Sequence, residues 1–409
     1  MIQKTKTLQT LVPTMLVAAA VAGSYGGHVH AASFSEAVAS GDTGLELRYR
    51  FESVEQAGIS NKAQASTLRT RLNYTSGQYG DFSAFIEFDD ITAFGDIKYN
   101  DATGLATAQT SYPVVADPEG SEVNQANISY TGLIGTTVRL GRQRVIFDNA
   151  RFIGNVGWRQ NEQTYDALTV VSQPLSDTTV VYGYVSNVNR IFGEASPKGD
   201  IDTKTHLLNV AYTGFKAGKL VGYGYFLDLI DSPAASNATI GARFKGATQL
   251  NDGVKALYTL EFATQSDYKQ GASNIDADYS LLELGAEFGG VTVKASVETL
   301  GKGGSAFSTP LATAHAFNGW ADKFLTTPTE GLKDTYITVG GKVAGVKLLA
   351  VFHDYSAGQG GASYGDEINL LAVKKFGKHY KGLIKYASYS ADSYATDTDK
   401  VWLMGQANF

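Results

Sequence analysis

The feature that most constrains this chain is an alternation of apolar and polar residues that begins near residue 43 and scarcely stops until the end. Leu45, Leu47, Tyr49 and Phe51 share one face, and Glu46, Arg48, Arg50 and Glu52 share the other. The same pattern sets Leu68, Leu72 and Tyr74 against Arg69, Arg71 and Asn73, then Ile86 and Phe88 against Glu87 and Asp89. A period of two with one apolar and one charged face is the signature of a β-strand. Eighteen such segments are expected, at about 43–54, 65–76, 82–94, 123–132, 136–146, 163–172, 177–187, 204–214, 218–230, 237–247, 253–264, 277–288, 290–300, 333–343, 345–356, 366–376, 379–390 and 400–409.

The spacing between segments then selects the architecture. Tight turns such as Gly77-Gln-Tyr-Gly80, Gly132-Leu-Ile-Gly135, Gly289-Gly290 and Gly377-Lys378 alternate with longer connections at 55–64, 95–122, 147–162, 188–203, 265–276, 301–332, 357–365 and 391–399. Short turns on one side and long loops on the other point to an all-β transmembrane antiparallel barrel with periplasmic turns and external loops. A sandwich has no such strict alternation. The even strand count brings both termini to the short-turn side. The last segment presents Val401, Leu403, Gly405, Ala407 and the terminal Phe409 on one face, which suits recognition by the outer-membrane assembly machinery. Aromatic residues recur near segment ends, and Tyr49, Phe51, Tyr74, Tyr130, Tyr182, Tyr184, Tyr223, Tyr225, Tyr386 and Tyr389 are expected as interfacial girdles.

Lys4 and Lys6, the apolar run Leu11–Ala22 and Val29-His30-Ala31 read as a secretory signal over residues 1–31, leaving 32–409 as a single barrel domain. Without those two lysines, 32 basic residues face 40 acidic ones, a net charge near −8 that argues against general nucleic-acid binding. There is no cysteine, so disulfides, thiol catalysis and Cys-based zinc sites are excluded. After residue 31 the histidines are His206, His315, His353 and His379, and none has a Ser or Asp in a recognisable catalytic pattern or a second His at ligand spacing. His353-Asp354 is the nearest candidate and reads as a solvated pair. Asp392, Asp397 and Asp399 in one loop are thin grounds for a cation site. No enzyme activity, cofactor or metal is therefore expected. Partners would be outer-membrane lipid and lipopolysaccharide, and the outward faces do not distinguish a monomer from a trimer.

If the apolar faces meet lipid, the charged faces enclose water, because a charge on the lipid side costs several kcal/mol near the midplane. That places Arg48, Arg50, Arg69, Arg71, Glu87, Asp89 and Arg139 inside, with acidic Glu261, Glu283, Glu287 and Glu298 on the later strands beside Lys294, Lys347 and Lys385. A barrel of about eighteen strands is too wide for side chains alone to fill. The stretch Leu140–Thr169, LGRQRVIFDNARFIGNVGWRQNEQTYDALT, packs Arg142, Arg144, Arg151 and Arg159 beside Asp148, Glu162 and Asp166. Guanidinium groups this close to carboxylates fix a loop through bidentate pairs, so it is expected to fold against or into the barrel mouth and shape a pore, the alternative being a solvated surface loop with incidental charges. For the charged inner face, a field that selects solutes and a set of wall-stabilising ion pairs are equal readings. In loop 301–332, His315, Trp320, Asp322 and Lys323 fall close together. Two readings stand: a short packed helix over Leu311–Phe324, started by Thr309-Pro310, or an external surface in which Trp320 and Phe317 stack on sugars.

Two stretches carry a resemblance to a known family. The first is Leu140–Thr169, with GRQR, RFIGNVGWRQNEQT and Asp166. The second is Ala306–Leu332, AFSTPLATAHAFNGWADKFLTTPTEGL. Both resemble the alginate-export family of outer-membrane barrels, a group that includes general porins. The resemblance implies a lumen that passes anionic or polar solutes, lined by Arg48, Arg69, Arg71, Arg139, Arg142, Arg144, Arg151 and Arg159, with Asp89, Asp148, Glu162 and Asp166 as counter-charges. The minimal turns and loops favour a small-solute porin over a polysaccharide exporter.

Overall fold

The computed structural model describes residues 33–409, so the expected signal segment lies outside the described residues. A short helix, Phe34–Ala39 (α1), is capped reciprocally by Ser33 and Glu36. Eighteen strands follow. The first nine are Asp42–Gln56 (β1), Ala63–Thr75 (β2), Phe82–Ala93 (β3), Gly120–Leu133 (β4), Thr136–Gln143 (β5), Thr164–Leu175 (β6), Thr178–Asn189 (β7), Asp200–Tyr212 (β8) and Gly218–Leu227 (β9). The rest are Asn237–Asn251 (β10), Val254–Asp267 (β11), Asp276–Phe288 (β12), Val291–Leu300 (β13), Leu332–Val343 (β14), Val346–Ser356 (β15), Ser363–Phe376 (β16), Tyr380–Ala391 (β17) and Thr398–Asn408 (β18).

Each strand pairs antiparallel with its neighbour in sequence, and β1 closes on β18 from Glu46↔Asn408 to Gln56↔Thr398. The closure removes every sheet edge, which a membrane requires of a β structure. Leu45 and Phe409 exchange backbone hydrogen bonds of 3.1 and 2.9 Å, so the terminal aromatic zips the seam. Outward residues such as Leu72, Phe88, Ile128, Leu140, Ile240, Leu260, Ile337 and Ile384 are exposed. The buried side chains point inward, among them Arg50, Tyr165, Tyr279, Tyr355, Tyr389 and Trp402. The chain is an outer-membrane β-barrel, its greasy surface on the outside and its polar surface within.

Three expectations need correction. β5 ends at Gln143 instead of 146, because the chain kinks at Gly141 (φ +120°) and turns into the lumen. A side chain on Gly141 would collide with the Ala126 carbonyl of β4. Tyr223, Tyr225 and Tyr389 are not girdle residues. They face inward and are buried, Tyr223 donating to Glu261 Oε1 at 3.0 Å. Segment 311–324 is not a helix. It holds one 3-10 turn, Ala314–Ala316, within an otherwise irregular path.

Candidate functional site: the plugged lumen

Loop 144–163 leaves β5 and folds inward, and the wall grips it with arginines. From β1, Arg48 donates through Nη1 to the Gly157 carbonyl at 3.0 Å and through Nε to Gln160 Oε1 at 2.9 Å, while Arg50 donates to the Trp158 carbonyl and to Asp117. From β2, Arg69 Nη1 donates to the Gln160 carbonyl at 3.0 Å and its Nη2 pairs with Glu46. Gln160 answers by donating to the Arg48 carbonyl and to Thr67 of the wall. Asp117, from loop 94–119, accepts the Gln160 amide at 2.8 Å and so braces the inward loop from a neighbouring one.

Beside this clamp lies a charged knot. Glu162 Oε1 accepts Arg144 Nε at 2.5 Å and pairs with Arg71 at 3.1 Å, and Asn155 donates to its Oε2 at 2.7 Å. Arg71 also takes Asp89 in a bidentate grip of 2.5 and 2.6 Å, and Arg144 reaches Glu87. Burial alone would raise the Glu162 carboxyl, but Arg144 and Arg71 prevail and hold it well below the usual carboxylate range.

Loop 301–331 also folds inward and packs on the first. Gly154 N donates to the Leu311 carbonyl at 2.9 Å, Thr313 N to the Ala150 carbonyl at 3.0 Å, and Val156 N to Thr313 Oγ1 at 3.0 Å. Arg151 pairs with Glu298 of β13 at 2.7 Å and donates to Asn318 at 3.1 Å. Arg159 pairs with Glu52 at 3.1 Å and with Asp322 at 3.0 Å. The two loops form one plug, so constriction is shared between them. His315, Trp320 and Asp322 lie inside the barrel, not on an external face, and His315 is stacked on Trp158 with centroids 5.1 Å apart. Burial lowers His315 to about 3, opposed only in part by Asp322. Asp322, resisted by its own burial, is held well below the ordinary aspartate value by His315 and Lys400.

The arginines therefore divide into three groups. Arg48, Arg50, Arg69, Arg71, Arg151 and Arg159 are all 7% exposed or less, consumed by carbonyls and carboxylates. Arg142 and Asp166 face outward, correcting the expectation that they line the pore. They pair with each other at 2.9 Å on the strand face that carries Leu140 and Leu168, and Arg142 also reaches Glu194 and the Val123 carbonyl, each at 3.1 Å. Arg139 and Arg144 remain partly open to the lumen, as does Asp148, which accepts Asn209 at 2.8 Å and lies 3.7 Å from Lys219. On the same inward faces stand Lys347 of β15 and Lys381 of β17, both partly exposed. Among the described residues, no ion pair holds Arg139, Lys347 or Lys381; Arg139 donates to Ser129 Oγ at 3.1 Å instead. Three acidic residues of the later strands are paired, Glu261 with Arg243, Glu283 with Lys294 at 2.9 Å and Glu298 with Arg151, whereas Glu367 of β16 accepts the backbone N–H groups of Trp320 and Ala321. Gln160, Asp117, Asn318 and Trp402 escaped the sequence reading. Only strand parity could have flagged Trp402, which shares its face with Lys400.

Comparison with known proteins agrees with this architecture. Residues 40–179 match the family model described as Alginate export, which bears out the resemblance over that part of the chain. No curated protein matches the sequence. Among solved structures, OccAB4 of Acinetobacter baumannii superposes with a TM-score of 0.70 at 13% identity, covering 90% of this chain and 98% of that one. OccD3 (OpdP) of Pseudomonas aeruginosa gives 0.68 at 14% identity over 92% of each chain. The outer-membrane protein OpdK of the same organism gives 0.69 at 14% identity over 91% and 99%. A structure of OpdK with vanillate gives 0.68 at 12% identity over the same shares. At these identities the likeness is one of fold, a closed antiparallel β-barrel.

Proposed function

We propose that this outer-membrane barrel, alginate-export-like in its first third, is a passive channel for small polar and anionic solutes, organic carboxylates foremost. The observation that carries the reading is the surplus of cations on the lumen wall. Arg139, Lys347 and Lys381 face the lumen without an ion-pair partner, while most wall carboxylates are neutralised by a neighbour. A cation that no carboxylate neutralises leaves its field in the lumen, and a water-filled path between low-dielectric walls amplifies it. The six buried arginines contribute little to that field, because each already faces a carboxylate or several carbonyls. Vanillate, present with OpdK, is itself a small carboxylate of the class proposed here.

The match to the alginate-export model favours a second reading, export of an anionic polysaccharide. The two loops packed across the lumen oppose it, since a polymer needs a bore clear along its whole length. Planar-bilayer recording in a salt gradient tests the first reading. The expected result is an open channel with a reversal potential on the anion side, moved toward zero by Arg139→Ala, Lys347→Ala and Lys381→Ala together. A folded barrel that stays silent, or an anion preference untouched by the triple substitution, overturns it. Polymer release from loaded liposomes tests the second.

A further inference from the structure

The chain has three tryptophans, and all three gather around one buried lysine. Lys385 Nζ lies 3.9 Å from the ring centroid of Trp320, 4.0 Å from that of Trp158 and 5.0 Å from that of Trp402. The three rings come from three places: Trp158 from loop 144–163, Trp320 from loop 301–331, Trp402 from β18. Lys385 itself belongs to β17, directly opposite Trp402 in the β17–β18 register. Its ammonium also meets His315 Nε2 at 2.7 Å. An ammonium can only donate, so Nε2 accepts and the imidazole proton sits on Nδ1, 2.6 Å from Asp322 Oδ1. Asp322 in turn accepts Lys400 at 2.7 Å and Arg159 at 3.0 Å.

No ion pair holds Lys385 among the described residues, although it is 5% exposed. A buried charge is costly unless its surroundings replace water. Here ring faces and one imidazole nitrogen do so, and most of them arrive only when both loops are docked. The indole N–H groups of Trp158 and Trp402 find no acceptor, so these rings stand where they do for their faces.

We propose that Lys385 is a positioning residue, a latch that ties both inward loops to the barrel wall and thereby sets the bore of the lumen. The bore assignment rests on the channel reading above; the latch does not. With the loops docked, the cation is enclosed and the lumen is narrow. With the cage empty, the plug loses its shared anchor and swings between narrow and wide states.

The test is Lys385→Met, which keeps the apolar stem and removes the charge. All tryptophan emission reports on the cage, so the variant's emission moves to the red and its quenching by acrylamide rises. Loss of contacts with three rings raises the undocked fraction by about tenfold or more. In liposome swelling, larger sugars enter, and Lys385→Arg recovers part of the wild-type cut-off. Unchanged emission and an unchanged cut-off in the Met variant overturn the latch. A shift in emission from a protein that never conducts supports the latch while sinking the channel. If Lys385→Met does not assemble, Trp320→Leu opens the cage from the loop side without touching a strand; a wild-type cut-off there overturns the proposal as well.

Discussion

Gln160→Leu offers the cleanest measure of how firmly the wall holds the plug. The side chain is fully buried and spends all its polar atoms on the wall. Oε1 accepts Arg48 Nε at 2.9 Å, and the two Nε2 protons are shared among the Arg48 carbonyl at 3.2 Å, the Thr67 carbonyl at 3.1 Å and Thr67 Oγ1 at 2.9 Å. Leucine has similar bulk and makes none of these bonds. Two neutral hydrogen bonds and one to a charged group together contribute about 3 to 6 kcal/mol, counting the groups left unsatisfied. At about 1.4 kcal/mol per tenfold, docking of loop 144–163 weakens by roughly two to four decades. Hydrogen exchange on the folded protein in detergent reads this directly. The backbone amides of 154–163 lose protection by about a hundredfold or more, while those of β15 and β16 keep theirs. Protection in the loop within about threefold of wild type would refute the claim that the clamp, more than the loop's own packing, holds the plug.

Acid loosens the same plug in a defined window. His315 is lowered from 6.5 to about 3 by burial, so a released loop binds a proton that the docked loop refuses. Docking stability is therefore full above the free histidine value and declines as pH falls toward about 3, by about 2 kcal/mol at pH 5; a tryptophan emission flat between pH 7 and 4 contradicts this. Below that range Asp322, itself held low, withdraws its share as it protonates. Arg142→Ala leaves the reversal potential unchanged, because the residue faces outward; a shift toward cations would return it to the solute path. Gly319→Ala loosens loop 301–331, since φ is +86° and a methyl there meets Glu367 Oε2 and the Tyr355 hydroxyl. The left-handed backbone alone costs about 1 to 2 kcal/mol, and protease cleavage within the loop accelerates accordingly.

The barrel was legible because its constraint is local. Each strand of a membrane barrel must hide an apolar face in lipid, so alternation recurs at every crossing, and turn lengths tell one side from the other. What was misread follows from the plug. At the height where Phe147 and Phe152 pack against Tyr223 and Tyr225, the inward face of β9 is itself apolar. There the rule that greasy residues face outward no longer discriminates. Arg142 fails in the opposite sense: it stands two residues from outward Leu140, so parity alone puts it outside, and only its charge suggested the lumen. It is tolerated there because β5 ends one residue later and Asp166 and Glu194 balance it.

What the sequence leaves open about the arginines has the same root. A dense run of arginines reads equally as a selecting surface or as wall-stabilising ion pairs, and contacts such as Arg48 with Gln160 join residues 112 apart and leave no local trace to choose between them. A guanidinium that donates to carbonyls and carboxylates in a dry interior is a strut, and its charge is largely cancelled before a solute can sense it. On the function proposed above, selectivity rests with the cations left over once the struts are assigned. In this chain they include the isolated residues Arg139, Lys347 and Lys381, each unremarkable in its own segment. They stand out only once the ion pairs of the fold are known, so the anion preference proposed here is a property of the three-dimensional remainder and not of arginine content.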